Sequence, residues 1–127
     1  MKQIISTENA PAAIGPYSQG IAFQKLIFTS GQLPLIPETM TFPEGGIREQ
    51  TRQSLLNVKS ILEAQGGSLE TVIKTTCFLA DLADFVEFNA VYTEFFGEEN
   101  PPARACVEAA RLPKDALVEI EVIAFKN

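Results

Sequence analysis

The residues that could support chemistry lie close together near the end of the chain. Arg104 and Cys106 alternate with alanines in one short run, and Glu119 and Glu121 alternate with apolar residues in the next. The sequence contains no histidine, which excludes His-based catalytic triads, imidazole general bases and zinc sites that need His ligands. Any reaction must therefore use carboxylates, arginine, hydroxyls, thiols, backbone groups or water, and we expect neither a metal nor a cofactor.

The size and composition are typical of one globular domain. A chain of 127 residues can bury one good hydrophobic core, so we predict a single domain over residues 1–127. The net charge is −6 and the ten Lys and Arg residues are scattered, which argues against nucleic-acid binding. Because no long apolar segment or signal-peptide core is visible, we expect a cytoplasmic protein without membrane contact. Cys77 and Cys106 lack metal-like spacing, and we expect free thiols.

Hydrophobic periodicity predicts strands and two amphipathic helices. Strands are expected at residues 2–6, 18–23, 26–29, 72–80, 103–109 and 117–125. One helix is expected over residues 47–65, ending at Gly66 and Gly67. The second, near residues 84–97, carries an aromatic stripe that we interpret as core: Phe85, Phe88, Tyr92 and Phe95. This order predicts an α+β fold with both helices on one face of a mixed sheet.

The last two predicted strands indicate a partner surface. One face of residues 117–125 is wholly apolar and suits packing under the helices, while the other mixes acidic residues with Ile123 and Phe125. Two helices cannot cover both sides of a sheet, so we infer a homo-oligomer built on the uncovered face. In residues 103–109 the alanines and Val107 form a small apolar face, so Arg104 and Cys106 are expected on the uncovered face with Glu119 and Glu121. On this interpretation a pocket forms beside these four residues, at or near a subunit interface.

Several longer motifs resemble a known family. They are residues 102–108 (PARACVE), 110–116 (ARLPKDA) and 118–121 (VEIE), and upstream residues 9–20 (NAPAAIGPYSQG), 29–34 (TSGQLP) and 88–92 (FNAVY). Taken together in chain order, these motifs resemble those of the RidA/YjgF family of reactive-intermediate (enamine/imine) deaminases. The resemblance implies a chorismate-mutase-like fold, a homotrimer and pockets between subunits. It also implies hydrolysis of 2-iminobutanoate and 2-iminopropanoate to 2-keto acids and ammonia.

The chemistry of such a reaction suits the residues present. A 2-imino acid has a carboxylate and an electrophilic C=N carbon, so hydrolysis needs orientation, a positioned water and charge stabilisation. Arg104 can bind the carboxylate through two parallel hydrogen bonds, a geometry that lysine cannot match. The resemblance implies that Glu119, rather than Glu121 on the same strand face, orients or deprotonates the water. For either glutamate a salt bridge is the alternative role. The resemblance further implies that the pocket is lined by Tyr17, Ser30, Gly31, Asn89 and Cys106.

Each of these residues also has a structural interpretation. Arg104 could be an interface cation paired with Glu119 or Glu121. Cys106 could be a packed thiol that contributes only its backbone, because no histidine would activate it. The remaining positions could have structural roles without a ligand: Tyr17 capping the interface, Ser30 and Gly31 breaking a strand, and Asn89 on the helix surface.

Two rival functions stay open at this point. The same pocket could belong to a non-catalytic module that binds small carboxylates as a regulatory signal, because fold and pocket do not determine turnover. RNA cleavage, an activity that the resemblance also brings with it, is disfavoured because the chain has no basic patch and no histidine.

Overall fold

Two helices pack on one side of a six-stranded mixed sheet. The computed structural model describes residues 1–127. The strands are β1 (Gln3–Ile5), β2 (Gly20–Phe23), β3 (Leu26–Thr29), β4 (Val72–Leu79), β5 (Ala103–Glu108) and β6 (Val118–Phe125). The helices are α1 (Ile47–Glu63) and α2 (Phe85–Phe96). The sheet order is β1-β2-β3-β6-β4-β5, and only β4 and β5 run parallel. The predicted α+β architecture with a mixed sheet is confirmed.

Local sequence explains where the elements begin and end. Strands β2 and β3 form a hairpin whose turn places Gln24 in the left-handed region, at φ 54°. At the start of α1, the Glu49 carboxylate accepts a hydrogen bond of 2.8 Å from the Gly46 backbone amide. The chain leaves α1 at Gly66, whose φ of 78° favours glycine. No helix in the structure is long and apolar enough to span a membrane.

The core lies between the helices and one face of the sheet. Alternate residues of β6 point into it, and Val118, Ile120 and Ala124 are fully buried. They pack with Leu55, Val58, Ile61 and Leu62 of α1 and with Phe88 of α2. The apolar face predicted for β6 is therefore confirmed. So is the aromatic stripe of α2, because Phe88 and Tyr92 are buried and Phe85 and Phe95 pack against the core.

The face predicted for Arg104 and Cys106 is wrong. We expected both side chains on the face opposite the helices, beside Glu119. In the parallel pairing of β4 and β5, Arg104 lies next to Thr75 and Cys106 next to Cys77, and both β4 residues are fully buried under the helices. Paired residues of neighbouring strands point to the same face, so Arg104 and Cys106 lie on the helical side of the sheet.

The other face of the sheet is uncovered in the single chain and carries large apolar side chains beside its acidic residues. Four large side chains on or beside it keep more than a third of their surface exposed: Phe28, Phe125, Ile73 and Val107. Glu119 and Glu121 belong to this face, because they pair with Phe78 and Thr76, which alternate with the buried residues of β4. Several exposed large apolar side chains on one face of a sheet are typical of an interface.

Candidate active site

One cavity brings together four of the predicted site residues. It has a volume of about 500 Å³, and its walls include Tyr17, Ser30, Gly31 and Glu119. The first three come from the loop before β2 and the segment after β3, and Glu119 comes from β6. Residues more than 80 positions apart in the sequence meet here because Gln32 and Ile120 form a β-bridge beside the cavity.

Gly31 provides the space that the Glu119 side chain occupies. A Cβ built on Gly31 would lie 2.0 Å from Oε2 and 2.9 Å from Cδ of Glu119. The close approach is maintained by two backbone hydrogen bonds of the bridge, from the Gln32 amide to the Ile120 carbonyl at 2.7 Å and from the Ile120 amide to the Gln32 carbonyl at 3.2 Å. Any larger residue at this position would therefore displace the Glu119 carboxylate from the place that it occupies.

The environment of Glu119 makes its carboxyl group a weaker acid than that of an ordinary glutamate. The side chain is partly buried, and this loss of hydration raises the pKa of its carboxyl group above the usual value of 4.5. The neighbouring charge of Glu121 raises the pKa of Glu119 further. No cation lies within ion-pairing distance to offset these effects. A carboxyl group of this kind can accept a proton from water and return it, as a general base followed by a general acid.

The hydroxyl groups of the cavity already have partners in the chain. Ser30 donates its hydroxyl proton to the Ser18 carbonyl at 2.5 Å. The Tyr17 hydroxyl accepts a hydrogen bond of 3.2 Å from the Ile14 amide, and about half of the Tyr17 side chain is exposed. Both side chains shape the cavity wall, and the free lone pairs of their hydroxyl oxygens can accept a further bond.

Three polar residues of the cavity had no predicted role. The buried Gln19 side chain holds the loop in place by donating to the carbonyls of Ala10 and Pro11 and accepting from the Thr7 amide. Gln32 and Lys114 also line the cavity. All three lie inside the motifs that carry the family resemblance, but nothing in their local sequence indicates that they face a common space.

Arg104 and Asn89 form a second cluster on the other side of the sheet. The Arg104 guanidinium carbon lies 4.7 Å from the ring centroid of Tyr92, and the rings of Phe85 and Phe88 are at 5.4 and 5.9 Å. One guanidinium nitrogen donates to Asn89 Oδ1 at 2.7 Å. The core stripe of α2 is thus also the surface on which Arg104 lies.

The Arg104 guanidinium has no carboxylate partner. The ion pairs of the chain are Arg48–Glu87, Arg52–Glu94 and Arg111–Asp115. Within the single chain, Arg104 forms no ion pair with Glu119 or Glu121; the ion pair across a subunit interface stays a prediction. A guanidinium that is exposed, oriented by aromatic rings and an amide, and still in possession of free donors is ready to bind a carboxylate ligand.

The two cysteines are neighbours on adjacent strands, and both are free thiols. Burial raises the pKa of the Cys77 thiol to about 12. Burial also raises the pKa of the Cys106 thiol, although the nearby Arg104 charge acts in the opposite direction. A thiolate nucleophile is disfavoured in such surroundings. The structure thus favours Cys106 as a packed thiol.

No group of three or more His, Cys, Asp or Glu side chains in the structure is arranged so that it could hold a metal ion.

Arg104 and Glu119 are too far apart in one chain to hold the same small molecule. Strand β4 lies between their strands, and the register offsets them by three residues along it, because Arg104 pairs with Thr75 and Glu119 with Phe78. Two strand spacings separate the two residues by about 10 Å across the sheet, and three residue steps separate them by about 10 Å along it. The side chains also leave the sheet on opposite faces. The predicted site residues therefore form two separate clusters.

The chain is similar to known proteins in both sequence and structure. The family model described as Endoribonuclease L-PSP matches residues 7–126. A RutC family protein of Pyrococcus horikoshii is 55% identical over 127 residues, and the 2-iminobutanoate/2-iminopropanoate deaminase of Escherichia coli strain K12 is 53% identical over 129 residues; each alignment covers 100% of both chains. Among solved structures, E. coli TdcF with bound serine has a TM-score of 0.93 at 48% identity. The E. coli YjgF gene product has a TM-score of 0.92 at 52% identity. Both structural matches cover 98% of this chain and 99% of the other.

Proposed function

Since this chain belongs to the RidA/YjgF family, we propose that it hydrolyses 2-iminobutanoate and 2-iminopropanoate to 2-keto acids and ammonia. The observation that carries the proposal is the Arg104 guanidinium, which is held by Asn89 and three aromatic rings without a carboxylate partner. The name of the E. coli relative at 53% identity supports the same reaction.

We further propose that each active site forms between two copies of the chain in a homotrimer. Arg104, Asn89 and Cys106 of one copy would face the cavity with Tyr17, Ser30, Gly31 and Glu119 of the next. The separation of the two clusters in one chain supports this arrangement, because neither cluster alone has both a carboxylate anchor and a base. The uncovered apolar face of the sheet supports the association of copies.

Arg104 binds the substrate carboxylate through two parallel hydrogen bonds and thereby orients the C=N group toward Glu119 of the neighbouring copy. The aromatic rings under the guanidinium restrict its movement, so little side-chain entropy is lost on binding. Asn89 accepts from one guanidinium nitrogen and so leaves the remaining N–H groups to the ligand. In this arrangement, backbone groups near Gly31 and Cys106 would meet the imine nitrogen or nearby atoms.

Glu119 moves the protons of the reaction. As water attacks the C=N carbon of the substrate in its protonated (iminium) form, a C–O bond forms, the C=N π electrons move to nitrogen, and a water proton passes to the Glu119 carboxylate. Glu119 then returns this proton to the amine nitrogen. Ammonia leaves as the C–N bond breaks, the hydroxyl oxygen forms the C=O bond, and its proton leaves with ammonia as ammonium. The raised pKa of Glu119 suits a group that both accepts and returns a proton.

A coupled assay tests this function. Threonine dehydratase and threonine generate the imine, semicarbazide traps it, and the protein is expected to lower the yield of trapped product by hydrolysing the imine first. Calorimetry with 2-ketobutyrate is the companion measurement. Binding of the keto acid without any effect on trapping would support the non-catalytic carboxylate-binding module instead. The description of the matched family model makes RNA cleavage worth a parallel assay, although a net charge of −6 and the lack of histidine oppose it.

A further inference from the structure

One cation of the Glu119 cavity has no part in the reaction described so far. Lys114 lines the cavity together with Glu119 and is exposed. Its ammonium group belongs to none of the ion pairs of the chain, whose cations are Arg48, Arg52 and Arg111. An uncompensated ammonium group at a concave site attracts anionic ligands.

The backbone holds Lys114 in an unusual conformation at the cavity. Lys114 and Asp115 have φ values of 58° and 56°, in the left-handed region that residues other than glycine rarely adopt. The turn is closed by hydrogen bonds from the Asp115 amide to the Leu112 carbonyl and from the Ala116 amide to the Pro113 carbonyl. Leu112 and Ala116 anchor both ends, because their side chains are buried. Such outliers concentrate at functional sites.

The cavity has more room than a short imino acid needs. Its volume of about 500 Å³ lies in the range that holds drug-sized ligands, roughly 300–1,000 Å³. Apolar walls from Ile14, Leu33 and Leu35 could accept an aliphatic chain, and Lys114 provides the positive charge on these walls. The protein as a whole carries a net charge of −6, so a doubly charged anion would be repelled unless a local cation offsets this field.

We propose that Lys114 is a specificity-determining residue that pairs with an anionic group at the far end of the substrate side chain. With Arg104 of the neighbouring copy on the α-carboxylate, Lys114 extends the substrate class to dicarboxylic 2-imino acids. This inference rests on the proposed function, since it assigns the second anionic group of a substrate that Arg104 and Glu119 already process.

The experiment compares two substrates in Lys114 variants. Amino-acid oxidases with catalase supply 2-iminoglutarate from glutamate and 2-iminobutanoate from 2-aminobutyrate, and semicarbazide trapping reports hydrolysis. Lys114→Asn removes the charge while keeping a residue that tolerates positive φ, and Lys114→Arg restores a cation. The matched control is Lys59→Asn, because Lys59 is an exposed lysine of α1 that does not line the cavity.

The expected result is a change in selectivity. Lys114→Asn should lower kcat/KM for 2-iminoglutarate about tenfold, as expected for one charge-assisted hydrogen bond, and change kcat/KM for 2-iminobutanoate less than about twofold. Lys114→Arg should recover most of the loss, and Lys59→Asn should change neither. Equal losses on both substrates, or no loss on either, would overturn the inference.

Calorimetry separates failure of this inference from failure of the proposed function. The dicarboxylate 2-ketoglutarate is expected to bind the wild-type protein more tightly than the Lys114→Asn variant, while 2-ketobutyrate binds both equally. Because this is a binding measurement, it tests Lys114 even if the wild-type protein hydrolyses no imine. If the wild-type protein hydrolyses 2-iminobutanoate and the Lys114→Asn substitution does not weaken the binding of 2-ketoglutarate, the role of Lys114 is refuted. The proposed function is not affected by that result.

Discussion

The Glu119 carboxylate lies so close to the α-carbon of Gly31 that no side chain fits between them. A Cβ on Gly31 would be 2.0 Å from Glu119 Oε2. Since the Gln32–Ile120 bridge ties the two segments together, neither can withdraw without breaking backbone hydrogen bonds. The position of the proposed base thus depends on the size of a residue in another part of the sequence.

Gly31→Ala should displace the Glu119 carboxylate and lower kcat in imine hydrolysis by about 10²-fold or more, as expected when a catalytic group moves by about 1 Å. The protein should still fold, because the added methyl group meets a movable side chain. Steady-state kinetics and thermal unfolding measure the two effects. Gly46→Ala is the matched control, because a Cβ there meets nothing within 4 Å; equal losses in both variants would contradict the prediction.

Arg104→Lys should lower kcat/KM roughly 10²-fold and act mainly through KM, because an ammonium group keeps the charge but not the two parallel hydrogen bonds. Arg104→Ala should lose more. Initial rates across a range of imine concentrations measure both. Arg52→Ala serves as the control, since it removes an exposed ion pair between α1 and α2 and should leave the kinetics unchanged. Full activity in Arg104→Ala would exclude the mechanism.

Mixing two inactive variants tests the site between copies. Arg104→Ala and Glu119→Gln each lack one half of every site. Trimers formed by refolding equal amounts of the two variants together should recover up to about a quarter of wild-type activity. If the copies associate at random, about a quarter of the interfaces combine an intact Arg104 with an intact Glu119. Activity of the mixture and sedimentation of each variant are the measurements. A site built within one chain would recover nothing on mixing, and a monomeric wild-type protein would also contradict the proposal.

The raised pKa of Glu119 predicts a pH dependence of both activity and stability. The carboxylate form is the base, so kcat/KM should fall as the pH decreases through a pKa above 4.5. Glu121→Gln should shift this acidic limb to lower pH, because it removes the like charge that raises the pKa of Glu119. A pH–rate profile of the two proteins measures the shift; an unchanged limb would show that Glu119 does not control it.

The stability effect has the opposite sign to that of an ion-paired carboxylate. The folded state holds the Glu119 proton more tightly than the unfolded chain, so its contribution to stability is fully present below pH 4.5 and is lost as the pH rises through the folded-state pKa. Glu119→Gln should therefore increase the free energy of unfolding at neutral pH while it abolishes activity. Denaturant unfolding measures this increase, which should disappear in acid.

Cys106→Ser should retain most of the hydrolytic activity. Burial raises the pKa of the Cys106 thiol, and the proposed reaction uses only backbone groups at this position. The measurements are the rate of imine hydrolysis and the loss of this activity when the protein is treated with a thiol-alkylating reagent. Loss of catalysis in a folded Cys106→Ser variant would favour a nucleophilic thiol and contradict the water mechanism.

The amino-acid sequence alone predicts the helices, the strands and most of the core. Periodicity is local, so the strands, both helices, the buried face of β6 and the aromatic stripe of α2 could be read from neighbouring residues. The motifs also indicated the site residues. Four of them, Tyr17, Ser30, Gly31 and Glu119, line one cavity, while Asn89 lies against Arg104.

The face of the sheet that each site residue occupies follows from the pairing of distant strands and not from the local sequence. Alternation in β5 shows that Arg104 and Cys106 share a face, but the side of the sheet depends on pairing with β4, nearly thirty residues earlier. The apolar composition of Ala103, Ala105 and Val107 favoured the wrong side. On this edge strand the Arg104 side chain lies over the aromatic rings of α2 instead, because a guanidinium can cover an apolar surface while it stays exposed to solvent.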